Sequence, residues 1–129
     1  MLNPTEEGVR MDPMGDGHFG MSRGAKKHNG VDFIATPGQA VFSPIDGKVV
    51  RKILAYENDS YYGIEIEGKR ATVSLLYLQP LRGIVGSTIK KGEIVGTAQD
   101  ISKRYNKSMI PHIHMRIDRC DPLLFIGMP

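Results

Sequence analysis

YYGIEIE, residues 61–67, alternates apolar and charged side chains over its last four positions, with Ile64 and Ile66 on one parity and Glu65 and Glu67 on the other. Successive side chains of an extended chain point to opposite faces, so this run predicts a β-strand with one face in a core and one in water. The flanking sequence repeats the theme. From Val31 onward short β-type runs are separated by turn signals: VDFIA then TPGQ, AVFSP then IDG, KVVRKILAY then END, and, after YYGIEIE, a GKR turn followed by ATVSLLYL and QPLRG. STIKKGEIVGTA adds two short β pieces around a Lys-Lys-Gly turn. Only AQDISKRYN, residues 98–106, reads as helix, for about two turns with Asp100 or Ser102 near its start. The expectation is an all-β domain, an antiparallel sheet sandwich or half-open barrel with one short helix. The first thirty residues differ: they are rich in Gly, Pro, Asp and Met and lack sustained periodicity, which predicts a long loop. The expected division is a loop segment, residues 1–27, packed on a single β domain, residues 28–129.

Bulk composition limits what such a domain can do. A chain of 129 residues with 40% hydrophobic and 24% charged residues has room for one core of ordinary composition and none for a second. The net charge of +3 is spread along the chain, so nucleic-acid binding is not indicated and an acidic polymer surface is an equally fair partner. One cysteine, Cys120, excludes an internal disulfide and reads as a structural thiol. No apolar run approaches the roughly 18 residues that suggest a membrane span, so membrane insertion is not expected. MLNPTEEGVR lacks the apolar stretch of a signal peptide, so synthesis in the cytoplasm without a signal is expected.

Chemistry is concentrated in the histidines, at positions 18, 28, 112 and 114. In PHIHMRIDRC, residues 111–120, His112 and His114 share a parity and would project from one face of a strand. In KKHNGVDF, residues 26–33, Asp32 follows His28 by four, an even spacing that again keeps both side chains on one face. Two imidazole nitrogens and one carboxylate oxygen suit zinc, whose catalytic sites usually have three protein ligands and an open fourth position. His28, Asp32 and one of His112 or His114 would complete such a set, leaving the other histidine to move a proton. Taken singly, each pattern is also common in hydrogen-bonded, metal-free proteins.

The ordered series RGAKKHNGVDF, TPGQAVFSPIDGKVV, IKKGEIVG and PHIH, followed by DP near the end, resembles the lysostaphin-type zinc endopeptidases, which cleave peptide cross-links of bacterial cell walls. The resemblance runs over about residues 17 to 124. It implies a β fold of the duplicated hybrid motif type, with His28, Asp32 and His114 as zinc ligands and His112 as the catalytic histidine beside the metal. It also implies peptidoglycan peptides as substrate, action at the bacterial cell wall or periplasm and, for a phage-encoded member, a virion or tail assembly as partner.

One position departs from that pattern. Enzymes of this type commonly carry a second catalytic histidine in a Tyr-x-His-Leu segment, and the matching stretch here is Leu75-Leu76-Tyr77-Leu78. Tyr77 can donate a hydrogen bond to an oxyanion, but with a reference pKa near 10 it is a poor base at neutral pH. The resemblance therefore admits two functions. One is a peptidase relying on His112 and Tyr77. The other is a zinc-binding module of the same fold that has lost turnover, similar to the vertebrate leukocyte-derived chemotaxins, and that binds a wall or protein partner. IDGKVV and IKKGEIVG also resemble pieces of lipoyl and biotin carrier domains, but the Met-Lys-Met turn of a carrier is missing. Near the expected metal, Arg23 and Lys27 are candidate substrate-binding residues: Lys27, with Lys26, could attract carboxylated peptides, and Arg23 could clamp substrate or only fix the loop. Tyr56, Tyr61 and Tyr62 are expected to pack on a sheet face, with Tyr61 or Tyr62 able to line a groove if it falls on a loop, and His18 is expected to sit in a loop.

Overall fold

A computed structural model describes residues 1–6, 30–57, 60–105 and 108–120, and between residues 7 and 29 the backbone of four two-residue strands. These are β1 (Met11–Asp12), β2 (Gly15–Asp16), β3 (Ser22–Arg23) and β4 (Lys26–Lys27). Nine further strands follow: β5 (Gly30–Ile34), β6 (Ala40–Phe42), β7 (Gly47–Leu54), β8 (Tyr62–Glu67), β9 (Ala71–Leu76), β10 (Leu78–Pro80), β11 (Thr88–Ile89), β12 (Ile94–Ala98) and β13 (His112–Cys120). Six of them form one antiparallel sheet in the order β11-β7-β8-β9-β13-β5, and three form a second in the order β10-β12-β6. The all-β antiparallel architecture expected from the alternating runs is the one observed.

Parity decides which side chains meet between the sheets. Ile64 and Ile66 of β8 are fully buried, while Glu67 is exposed and Glu65 is half-buried, its carboxylate 3.4 Å from the Arg51 guanidinium on β7. Val49, Val73, Leu75 and Ile113 from the large sheet and Val41, Leu78 and Val95 from the small one are also at 0% exposure and belong to the same cluster. Burying each such aliphatic side chain contributes about 1.5–3 kcal/mol, and that gain holds the two sheets face to face.

One expectation is corrected. Residues 98–106 do not make two helical turns: Ile101–Lys103 forms a single 3-10 turn, with the Asp100 side chain accepting from the Ser102 N–H at 3.1 Å. Starting a helix is costly, and an aspartate cap satisfied two residues on, with one buried side chain, Ile101, does not repay extension. In the N-terminal segment β1 pairs with β2 and β3 with β4. Its first residues are tied to the domain: Leu2 N–H donates to Pro44 O at 2.9 Å, Phe42 N–H to Pro4 O at 2.8 Å and Gln39 Nε2 to Thr5 O at 3.0 Å.

Candidate active site

β13 and β5 are neighbours at one edge of the large sheet, with His114 directly opposite Asp32 and His112 opposite Ile34. The approach is close because residue 30 is glycine: a Cβ there would stand 2.1 Å from the Met115 carbonyl oxygen. Directly opposed side chains on one face of an antiparallel pair are near neighbours. Nδ1 of His114 lies 2.6 Å from Oδ1 of Asp32, and Nε2 of His112 lies 3.7 Å from Oδ2 of the same carboxylate. Asp32 is 1% exposed and His112 is 3% exposed. A carboxylate so withdrawn from water requires compensating donors or a cation, and here both of its oxygens face imidazoles.

The hydrogen bonds set the proton positions. Nδ1 of His112 is 2.8 Å from the carbonyl oxygen of Ile110. A carbonyl only accepts, so Nδ1 carries the proton and the lone pair of the neutral ring sits on Nε2. For His114, the carboxylate oxygen accepts from Nδ1 in the same way.

Asp32 and His114 present an anionic oxygen and a nitrogen, both favoured by zinc, and the two atoms are aimed at one another. Ligands about 2.0–2.1 Å from a tetrahedral zinc stand roughly 3.3 Å apart, so the 2.6 Å contact would open by several tenths of an ångström on binding. The chemistry therefore fits for two donors. Among the described residues no group of three His, Cys, Asp or Glu side chains forms a metal site, and the expected third donor, His28, lies outside them. His18 lies outside them as well. Arg23 and Lys27 belong to the described backbone of β3 and β4, but their side chains lie outside the description.

Tyr77 stands edge-on to His112, with ring centroids 5.5 Å apart and planes at 88°. It is the residue between β9 and β10, where the chain leaves the large sheet for the small one, and its φ of 76° is in the left-handed region. That conformation costs a non-glycine residue about 1–2 kcal/mol. It is held by its own backbone, whose N–H donates to Tyr62 O at 2.7 Å and whose carbonyl accepts from the Gln99 N–H at 2.9 Å. Gln99 extends the clamp, accepting at Oε1 from the Tyr62 N–H at 2.9 Å and donating from Nε2 to Ser60 O at 2.7 Å.

The tertiary fold gathers further residues beside Tyr77, and of these Arg104 and Tyr105 were missed by sequence reasoning. Tyr56 stacks on Tyr77 with ring centroids 6.2 Å apart and planes at 7°, and their hydroxyls are 3.2 Å apart. The Tyr56 hydroxyl also meets that of Tyr105 at 2.5 Å, and the Arg104 guanidinium lies 3.8 Å above the Tyr56 ring. Burial, first, pushes the Tyr56 hydroxyl up to about 12, partly offset by the Tyr105 hydrogen bond. The three tyrosines expected on a sheet face divide between two places. Tyr62 is in β8, beneath the Lys52 ammonium at 4.0 Å, whereas Tyr56 and Tyr61 meet edge to face at 6.4 Å beside Tyr77. Tyr61 donates to Asp100 O at 2.8 Å and so ties this corner to the 3-10 turn. Nothing in the spacing of positions 56, 77, 104 and 105 marks them as neighbours.

The chain is similar to known proteins over most of its length. The family model described as Peptidase family M23 matches residues 26–122. Myeloid protein 1 of Gallus gallus is 32% identical over 126 residues, covering 93% of this chain and 38% of that protein. The chain thus spans well under half the length of that relative. Leukocyte cell-derived chemotaxin-2 of Mus musculus is 30% identical over 118 residues, covering 89% of this chain and 76% of that protein. The catalytic domain of the antimicrobial peptidase lysostaphin from Staphylococcus simulans superposes with a TM-score of 0.58 at 24% identity, over 87% of this chain and 90% of that one. A zinc containing peptidase from Vibrio cholerae superposes with a TM-score of 0.61 at 22% identity, over 88% of this chain and 35% of that one. At these identities the two structures show a shared fold.

Proposed function

The chain belongs to peptidase family M23, and from that premise and the His112–Asp32–His114 cluster we propose a zinc-dependent endopeptidase that hydrolyses peptide bonds in bacterial peptidoglycan cross-links. The observation that carries this reading is the buried Asp32 carboxylate, whose two oxygens face two histidines of one neighbouring strand. His28, Asp32 and His114 would hold the metal. Zinc, when bound, polarises the scissile carbonyl and lowers the pKa of water from about 15.7 toward 7.

The chain's own groups supply the rest. His112, with Nδ1–H committed to Ile110 O, accepts the proton of the attacking water at Nε2 and returns it to the departing amine. Tyr77 donates its hydroxyl hydrogen to the carbonyl oxygen as negative charge develops there, a role that needs a proton donor and not a base. The positive charges of Arg23 and Lys27 draw carboxylated peptides toward the site. The place of action in this reading is the bacterial wall, with a virion or tail assembly as carrier if the protein is phage-encoded.

A second reading rests on Tyr77 itself: a zinc-stabilised module that keeps the groove without turnover and binds a wall or protein partner. The similarity to leukocyte cell-derived chemotaxin-2 supports it. One experiment separates the two. Zinc-loaded protein is incubated with purified peptidoglycan of several wall types, and released fragments are read by mass spectrometry beside His112→Ala and chelator controls. Fragments that vanish in both controls support the peptidase. Stoichiometric zinc with no fragments from any wall supports the binding module.

A further inference from the structure

The role of Tyr77 in the proposed chemistry depends on where its one hydroxyl proton points, and the fold sets a second tyrosine beside it. The Tyr56 hydroxyl lies 3.2 Å from that of Tyr77 and 2.5 Å from that of Tyr105, so three phenols stand in a row with Tyr56 in the middle. The rings are fixed relative to one another as well. Tyr56 stacks on Tyr77 with planes at 7°, and Tyr77 in turn meets His112 edge-on at 5.5 Å. Tyr105, at the outer end, is exposed, whereas Tyr56 and Tyr77 are half-buried. The row therefore runs from water to the candidate catalytic histidine.

Each phenol has one proton to give and an oxygen that accepts. With two contacts and one donor apiece, the row has two orders. In the outward order Tyr77 donates to Tyr56 and Tyr56 to Tyr105, which commits the Tyr77 proton. In the inward order Tyr105 donates to Tyr56 and Tyr56 to Tyr77, so the Tyr77 proton is directed away from Tyr56. Two features favour the inward order once negative charge develops beside Tyr77. Hydrogen bonds that point the same way polarise one another, so each strengthens the next toward the charge. The Arg104 guanidinium, 3.8 Å over the Tyr56 ring and 5.5 Å from that of Tyr105, sets a positive charge near the two outer members. The middle phenol also keeps its proton, since burial pushes it up to about 12. We propose that Tyr56 is a positioning residue for the reaction: it donates to the phenolic oxygen of Tyr77, and so turns the Tyr77 proton toward the substrate oxygen. This deepens the peptidase reading and rests on it.

The test is a double-mutant cycle on the zinc-loaded protein with peptidoglycan fragments as substrate. Tyr56→Phe keeps the stacked ring and removes the hydroxyl. In the unaltered background it should lower kcat roughly 2- to 10-fold, the range for one neutral hydrogen bond, with KM unchanged. In the Tyr77→Phe background, where no phenolic oxygen remains to be oriented, it should leave kcat as it was. A merely structural hydroxyl would give the same loss in both backgrounds, so equal losses overturn the proposal and leave the peptidase reading standing. A loss confined to KM, or no loss in the unaltered background, does the same. A second readout needs no turnover: zinc-loaded protein carrying carbon-13 at the tyrosine Cζ positions is compared with its Tyr56→Phe variant by NMR. The resonance of Tyr77, whose oxygen loses its donor, should move while that of Tyr62 stays in place. An unmoved Tyr77 resonance overturns the proposal. If the unaltered protein cleaves no fragment from any wall, the peptidase reading falls, and the role of Tyr56 falls with it.

Discussion

His114 and Asp32, 82 residues apart in the chain, sit opposite one another on adjacent antiparallel strands with Nδ1 and Oδ1 2.6 Å apart. A buried carboxylate matched to a nitrogen donor is a site that either a proton or a metal ion can bridge, and the proposed chemistry starts from that pair. Replacing Asp32 by Ala removes the anionic member. Zinc affinity should fall by orders of magnitude, read as metal stoichiometry after dialysis against a weak chelator. Full occupancy in the variant would remove Asp32 from the ligand set.

His112 is held by a backbone carbonyl through Nδ1, and in the proposed mechanism its other nitrogen moves the proton. His112→Ala should retain zinc and lose hydrolysis by about 100-fold or more. Loss of metal along with activity would mean that the roles of His112 and His114 are exchanged.

In the proposed mechanism Tyr77 donates a hydrogen bond, where a histidine could also shuttle a proton. Tyr77→His should raise kcat on peptidoglycan fragments, and Tyr77→Phe, which keeps the ring against His112 but removes the hydroxyl, should lower it by about 10- to 100-fold. If neither variant differs from the parent, the hydroxyl plays no part in turnover.

Tyr56 makes the pH response of stability informative. Burial raises its folded-state value to about 12, above the roughly 10 of an unfolded tyrosine. Between those values the folded chain retains a proton that the unfolded chain has released. The stabilising contribution is thus fully present below about pH 10 and declines as pH rises toward about 12. Urea midpoints measured across this window should fall less steeply for Tyr56→Phe than for the parent. Parallel slopes would contradict a buried, protonated hydroxyl.

Gly30 sets the spacing of the two strands that carry the site. Its missing Cβ accommodates the Met115 carbonyl, so Gly30→Ala must push β5 away from β13 and carry Asp32 from His114. We expect about 1–3 kcal/mol of destabilisation by overpacking, together with weaker zinc binding. An unchanged midpoint with unchanged zinc affinity would show that the strand edge yields without disturbing the pair.

Parity along single segments was legible in the chain, because alternation is a local property of extended backbone. It placed Ile64 and Ile66 in the core, and it placed His112 and His114 on one face, where both do meet Asp32. The short helix was misread in length because capping residues mark where a turn begins and say little about whether burial will sustain it. Register and crossover belong to the tertiary structure alone. The choice of β5 as the partner of β13, the left-handed Tyr77 between two sheets and the gathering of Tyr56, Arg104 and Tyr105 beside it follow from how sheets pack on one core. Tyr56, Tyr77 and the Arg104–Tyr105 pair come from three separate segments, and no periodicity within one segment encodes a distance to another.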